Sequence, residues 1–271
     1  MNPHPQRDPA SWFRRSLQPT TALTIALAVV GCGGGGGNGG SGGGSAVGIA
    51  PTGAASDCFN PALARVGTTY RWDWRIIGAA TGTSSFNATV ARTTTFEGTA
   101  GLAETDATVT QYVQAGGSTF TSTSTTLDYA QVSGTTLTQY GQVTTVTAPQ
   151  ASSTRSVWSP PRADTRAALA LGASVTVAWA ATDTITPASA PPQTTAFTNH
   201  ITYRGQESVT VPAGTYVACR FEILENPGNS LRIEWVQVGT GAPLKTTASP
   251  GSANESSFEL LGTSRLNGNP L

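Results

Sequence analysis

Seven consecutive residues, Tyr70-Arg71-Trp72-Asp73-Trp74-Arg75-Ile76, alternate large apolar side chains with charged ones. A period of two is the mark of a β-strand with one buried face and one wet face. A helix would scatter those aromatics around its circumference. The alternation returns where Val217, Cys219, Phe221 and Ile223 interleave with Ala218, Arg220 and Glu222. It returns again where Leu231, Ile233 and Trp235 interleave with Arg232 and Glu234. Segments 84–96, 106–114, 118–132, 135–147, 174–186, 197–211 and 255–265 read as further strands. No long helical period appears, and the best short-helix candidate runs from Arg162 to Leu171, after Pro160-Pro161. The expected fold is all-β, with about 10–12 antiparallel strands forming a sandwich or half-open barrel.

Composition agrees with that expectation. Only 11% of residues are charged, and Thr, Ser, Gly and Ala are abundant. Hydroxyl-rich solvent faces suit strands, whereas disorder driven by charge needs more charge than this. The formal net charge is zero; losing residues 1–31 removes Arg7, Arg14, Arg15 and Asp8 and leaves −2. That balance argues against a nucleic-acid partner and against a polybasic membrane patch.

Two turns are legible. In Val211-Pro212-Ala213-Gly214-Thr215, Pro presets the first turn residue and Gly is expected to close a three-residue hairpin loop. Asn226-Pro227-Gly228-Asn229 marks a second turn. Pairing Ile223 with Ile233 and Phe221 with Trp235 would keep both apolar sets on one face, and requires an odd-length loop. A loop of two or four residues would set Arg232 opposite Ile223 and flip the face.

The segment from Cys58 onward also matches itself at an offset of 105–107 residues. Ala62-Leu63-Ala64 matches Ala168-Leu169-Ala170, and Trp72 matches Trp179. Phe96-Glu97-Gly98 matches Tyr203-Arg204-Gly205. Asp128-Tyr129-Ala130-Gln131-Val132 matches Glu234-Trp235-Val236-Gln237-Val238, and Leu137 matches Leu244. The ordered series suggests two repeated halves, 62–160 and 168–271, each a sheet of antiparallel strands.

The N-terminus carries a different message. Arg14-Arg15 precede the apolar run Ala22 to Val30, then Gly31-Cys32. A basic start, a short apolar core and small residues at the cut describe an export signal, too short for a spanning helix. Val29-Val30-Gly31-Cys32 resembles the lipobox of bacterial lipoproteins. The resemblance implies lipid transfer to the Cys32 thiol, cleavage between Gly31 and Cys32, and acylation of the new amino group. The family prefers Leu where Val29 stands. Several acyl chains on one residue anchor stably where one chain holds only marginally. Gly33, rather than Asp, after the lipidated cysteine leans towards the outer membrane. Residues 33–44 are Gly except Asn38 and Ser41. This is a flexible spacer, with a reach of roughly 25–30 Å out to Ser56. The expected organisation is therefore a signal peptide, 1–31; a lipidated cysteine and Gly-rich tether, 32–57; and an antiparallel β domain, 58–271.

With Cys32 spent on lipid, Cys58 and Cys219 remain, an even pair in an exported chain and a candidate disulfide. The residue inventory argues against an enzyme. His200 lies in an expected strand with no thiol or hydroxyl arrangement around it that spacing would reveal, and no GxSxG occurs in the domain. Glu104 and Asp106 share a strand face, a common spacing. No ligand spacing for a metal and no cofactor motif appears. Tyr70, Trp72, Trp74, Trp179, Phe221 and Trp235 are enough aromatics to line an apolar ligand cavity, and are also what a β core uses.

The stretch from Ser208 to Glu222, with Glu234-Trp235 and Gly239-x-Gly241-x-Pro243-Leu244-Lys245 after it, resembles a group of exported β proteins and lipoproteins. These carry a VPAGTF hairpin followed by a cysteine, then a strand with Trp and a GxGxxK turn; here Tyr216 stands for the Phe. Some are related to the curved sheets of lipoprotein carriers and receptors. The resemblance covers about 40 residues and implies a fold more than an activity. The expected role is a lipid-anchored envelope protein at the outer membrane, facing the periplasm and binding a lipid or other apolar ligand. The alternative is a structural or assembly lipoprotein contacting envelope protein partners.

Overall fold

The computed structural model describes residues 53–148, 151–187 and 191–271. The Gly31–Cys32 cleavage site and most of the tether lie outside the described residues.

The chain is all-β and antiparallel, as expected, and the sheet closes on itself. Strands β1 (Thr69–Gly78), β2 (Ala80–Phe96), β3 (Thr99–Ala115), β4 (Ser118–Ser133), β5 (Thr136–Ala148) and β6 (Ser152–Asp164) follow one another around the wall. They continue through β7 (Ser174–Thr186), β8 (Gln193–Val211), β9 (Gly214–Asn226), β10 (Ser230–Gln237), β11 (Pro243–Ala248) and β12 (Ser256–Leu260). Trp74–Gly78 of β1 then pairs with Ser256–Leu260 of β12. The result is an up-and-down barrel of twelve strands with no free edge along the seam. Arg75 pairs with Glu259 across that seam at 2.7 Å, and Lys245 of β11 holds the same carboxylate at 3.2 Å. A short hairpin, β13 (Arg265–Leu266) and β14 (Asn269–Pro270), pairs with the start of β1. Three 3-10 turns, η1 (Ala55–Cys58), η2 (Pro61–Ala64) and η3 (Arg166–Ala168), gather at the end of the barrel where β1 begins.

Alternation decides what each strand turns inward. Tyr70, Trp72, Trp74 and Ile76 face the lumen, beside Phe86, Ala88 and Val90 of β2. The outward row of β2 reads Thr81, Thr83, Ser85, Asn87 and Thr89. A second packed cluster, Val177, Trp179, Ile201, Tyr203, Phe221 and Ile223, fills the lumen side of β7–β9. Between the two clusters the wall is polar. Thr105, Asp128, Gln142, Ser156 and Asp183 are register partners in sequence across β3, β4, β5, β6 and β7.

Bulges interrupt the ladders at β2/β3, β4/β5, β5/β6, β8/β9 and β10/β11, and bulges bend strands. The tip of the β2–β3 hairpin lies over the outer face of the wall. There Phe96 stacks on Tyr129 with ring centroids 4.1 Å apart. Gly141 is needed beneath it: a Cβ there would stand 2.7 Å from the Phe96 ring and 2.2 Å from the Ser156 carbonyl oxygen.

Three expectations need correction. Arg162–Asp164 belongs to β6, and only Arg166–Ala168 winds into a 3-10 turn, so the expected short helix does not form. Only Pro212 and Ala213 lie between β8 and β9; Gly214 already pairs with Val211, so the three-residue loop is replaced by a two-residue one. The third correction bears on function. Ile223 pairs with Arg232 and Phe221 with Glu234, because four residues, Asn226–Asn229, separate the last paired residues Glu225 and Ser230. The even loop turns Arg232 and Glu234 into the lumen and puts Trp235 on the outer face, where β9 offers Arg220 and β11 offers Lys245.

Candidate functional site

The two packed clusters do not meet everywhere. Between them, at the end of the barrel capped by η1 and η2, lies a cavity of about 260 Å³. Its apolar walls include Tyr70 and Trp72 of β1, Phe86 of β2, Val132 of β4, Leu137 of β5 and Phe221 of β9. Tyr70 is the centre of an aromatic stack, 5.3 Å from Trp72 and 6.0 Å from Phe86. The chain enters at this same end. Tyr203 Oη donates to the Gly53 carbonyl, and Gln206 Nε2 donates to the Ala54 carbonyl and to Asp57.

One side of the cavity is a knot of charge. Arg162 donates to Gln139 at 3.0 Å and lies 4.0 Å from Asp164. Arg166 pairs with Asp164 at 2.7 Å and reaches across the lumen to Glu234. Arg232 binds Glu225 at 2.8 Å and also pairs with Glu234. The Arg162 guanidinium sits 5.0 Å over the Trp179 ring, and that of Arg166 lies 5.5 Å over Phe221. Burial pushes Arg162 down to about 10, and Asp164 partly offsets this, so it stays cationic at neutral pH. Burial alone would raise Asp164, but the pairing and hydrogen bonding of Arg166 hold it below the usual carboxylate range.

Asp128 is different. It is 4% exposed and turned into the cavity, and neither carboxylate oxygen has a hydrogen-bond partner among the described residues. Burial pushes its pKa up to about 8. Burying a polar group without a partner costs on the order of 1–3 kcal/mol even when it is neutral. Its neighbours are Thr105 on β3 and Gln142 on β5. The Tyr70 hydroxyl, hydrogen-bonded to Thr105, is raised above its ordinary value first by burial and then by Asp128.

The structure brings together three of the six aromatics named from sequence, Tyr70, Trp72 and Phe221, around the cavity; Trp235 reaches its edge through the β10–β11 bulge, but its ring lies on the outer face. The Trp235 ring lies between Arg220, at 5.9 Å, and Lys245, at 5.7 Å, and its Nε1 donates to Glu207. Trp74 and Trp179 are not part of the lining. Trp74 is packed in the first cluster with Nε1 donating to the Pro243 carbonyl at 3.4 Å. Trp179 is packed in the second, stacked 5.3 Å from Phe197. His200 is exposed on β8 and hydrogen-bonded to Thr176 at 2.9 Å. Glu104 pairs with Arg92 on the outside of the wall, away from the cavity. Sequence reasoning missed Asp128, Arg162, Asp164, Arg166 and Glu234 as site residues. The internal match that aligned Asp128 with Glu234 was the available signal.

Cys58 and Cys219 form a disulfide, with Cα atoms 6.1 Å apart, that ties η1 to β9 beside the cavity. It closes a loop with a sequence separation of 161, a constraint of about 5 kcal/mol in the chain-entropy picture. Among the described residues no cluster of His, Cys, Asp and Glu is arranged to hold a metal. No family model, curated protein or solved structure matches the chain.

Proposed function

We propose that this chain is an envelope lipoprotein whose barrel binds a small apolar or amphipathic ligand in the cavity at its tethered end. The observation that carries the reading is the combination of aromatic walls with Asp128, a buried acid left without a partner beside open volume. A stability-optimised core would fill such a space or neutralise such a group. A volume of about 260 Å³ falls just below the usual range of small-molecule pockets, so the occupant is one alkyl chain or a compact ring system rather than a whole diacyl lipid.

The anchoring half of the reading rests on Gly31-Cys32 and the Gly-rich tether. The hydroxyl and amide outer row of β2 favours a barrel standing in water, because a lipid-facing strand carries an apolar band. Gly53 to Asp57, the described end of the tether, lie at the cavity end, so a membrane-derived ligand would have a short path to the site.

Two measurements test this. The full chain carrying Cys32→Ser, exported and purified without detergent, is expected to show a bound small molecule by native mass spectrometry. An unliganded mass, together with no uptake of eight-carbon amphiphiles, would overturn ligand binding. The same substitution is expected to move the protein from the membrane to the soluble fraction; persistence on the membrane would overturn the anchor.

A further inference from the structure

We propose that the ligand carries an ammonium group, held by the Asp128 carboxylate beside the stacked rings of Tyr70, Trp72 and Phe86. This rests on the cavity being a ligand site and adds the chemistry of the ligand's polar end.

Three observations carry it. First, the cations of the lining are already used. Arg166 is paired with Asp164 and Glu234, Arg162 is bound to Gln139 near Asp164, and Lys245 is paired with Glu259. An anionic ligand would have to displace a carboxylate from one of these pairs. Second, of the three carboxylates among the described lining residues, Asp164 and Glu234 are ion-paired and Asp128 alone has neither a hydrogen bond nor an ion pair. The charge that completes the site is therefore positive. Third, the wall beside that acid is aromatic. The Tyr70 hydroxyl is hydrogen-bonded to Thr105, the register partner of Asp128, and Trp72 and Phe86 stack on Tyr70. A carboxylate next to aromatic faces is the chemistry that holds primary or methylated ammonium groups, through ion pairing and attraction to the ring quadrupole. The apolar remainder of the ligand would lie along Val132, Leu137 and Phe221. The cavity has room for roughly nine groups of water size, at about 30 Å³ each, which suits an ammonium with a short alkyl or single-ring tail.

Binding should then be linked to a proton. In the empty barrel Asp128 holds a proton up to about pH 8. A cation needs the carboxylate, so below that pH each binding event releases a proton. The other titratable or charged groups around the cavity are Tyr70 on β1, Arg162 and Asp164 on β6, Arg166 on η3, Glu234 on β10 and Lys245 on β11. None of the cavity carboxylates except Asp128 lacks a paired cation.

The experiment is calorimetric titration of the full chain carrying Cys32→Ser with octyltrimethylammonium, octylamine, octanoate and octanol. Octyltrimethylammonium keeps its charge at every pH, so any proton released comes from the protein. At pH 8.5 the two ammonium probes should bind at least about tenfold more tightly than octanoate or octanol. Octyltrimethylammonium affinity should fall about tenfold per pH unit between about 7.5 and 5.5. Asp128→Asn should weaken it at least about tenfold at pH 8.5, with near-ultraviolet circular dichroism checking the fold. If that variant misfolds, the pH profile of the chain with Asp128 intact decides. Octanoate or octanol binding as tightly as the ammonium probes would overturn the ammonium assignment and leave the ligand site standing. So would ammonium affinity indifferent to pH. Failure of all four probes to bind would remove both.

Discussion

The fourth and tenth strands of the barrel carry matched segments, and they treat their inward acid in opposite ways. On β10, Glu234 is pinned between Arg166 and Arg232. On β4, Asp128 is as deeply placed and has no such partner. The residues that follow differ in the same sense. Trp235, after Glu234, sits among Arg220, Lys245 and Glu207 on the outer face, whereas Tyr129, after Asp128, is covered by an apolar cluster around Phe96. A buried acid is tolerated when it is ion-paired or when it stays protonated. Asp128 uses protonation and Glu234 uses pairing. Both acids border the cavity, Glu234 inside a network of salt bridges and Asp128 outside it. The comparison therefore separates an acid that holds the fold together from one that is available to a ligand.

The widest test of that separation is the pH dependence of stability. Asp128 has a folded pKa of about 8, against about 4 in an unfolded chain. Between those values the folded state binds more protons than the unfolded state. Its contribution is fully present below about pH 4 and is lost as pH rises through about 8. The expected loss is about 4 kcal/mol in urea unfolding between pH 5 and pH 9. Asp128→Asn should remove most of that slope and be the more stable protein at pH 9. A parent whose stability does not fall over that range would show that Asp128 finds a partner in solution, and the contrast with Glu234 would fail.

Glu234→Gln should behave in the opposite way. It leaves Arg166 with Asp164 and Arg232 with Glu225, two buried cations each short of one carboxylate. Breaking a buried pair typically costs about 3–5 kcal/mol, and the remaining partners put this change near 3. The loss should appear at pH 6, where Asp128→Asn is nearly neutral. Equal effects of the two substitutions at pH 6 would mean that both acids are structural.

Much of this was legible in the sequence, but not the contrast itself. Alternation from Tyr70 to Ile76 and from Cys219 to Ile223 marks strands because each has one apolar face; at Val217, 54% exposed beside buried Ala218, the alternation expected from sequence breaks. The disulfide was legible because Cys58 and Cys219 are the cysteines left in the domain. Strand β6 was not, since Pro160-Pro161 followed by Arg162 reads as the start of a short helix; it holds because both of its neighbours supply ladders. Closure was not legible either. It depends on β12, five residues long, meeting β1 across nearly the whole described chain. The register of β10 misled for a physical reason. Placing Ile233 and Trp235 inward is the better local choice, and it is overturned by Arg166 and Glu225, which neutralise Glu234 and Arg232 from elsewhere in the barrel. Local sequence carries no sign of such a partner. Charged residues inside a barrel are where a reading from hydrophobic pattern fails and where a site becomes visible.

The smallest expected effect concerns the outer faces of the same two strands. Phe96 and Tyr129 are stacked and mostly buried. A double-mutant cycle with Phe96→Leu and Tyr129→Leu should return a coupling of about 1 kcal/mol, since stacked aromatic pairs give about 0.5–1.5 beyond area burial. The matching cycle on β10, Trp235→Leu with Lys245→Gln, reads a cation over a half-buried ring. Water competes for that ammonium, which is also paired with Glu259. Its coupling should be near 0.5 kcal/mol and should shrink as salt is added, while the Phe96–Tyr129 coupling should not. Two couplings of equal size and equal salt response would mean that the outer faces do not share the asymmetry of the lumen. The difference between Asp128 and Glu234 would then be confined to the cavity.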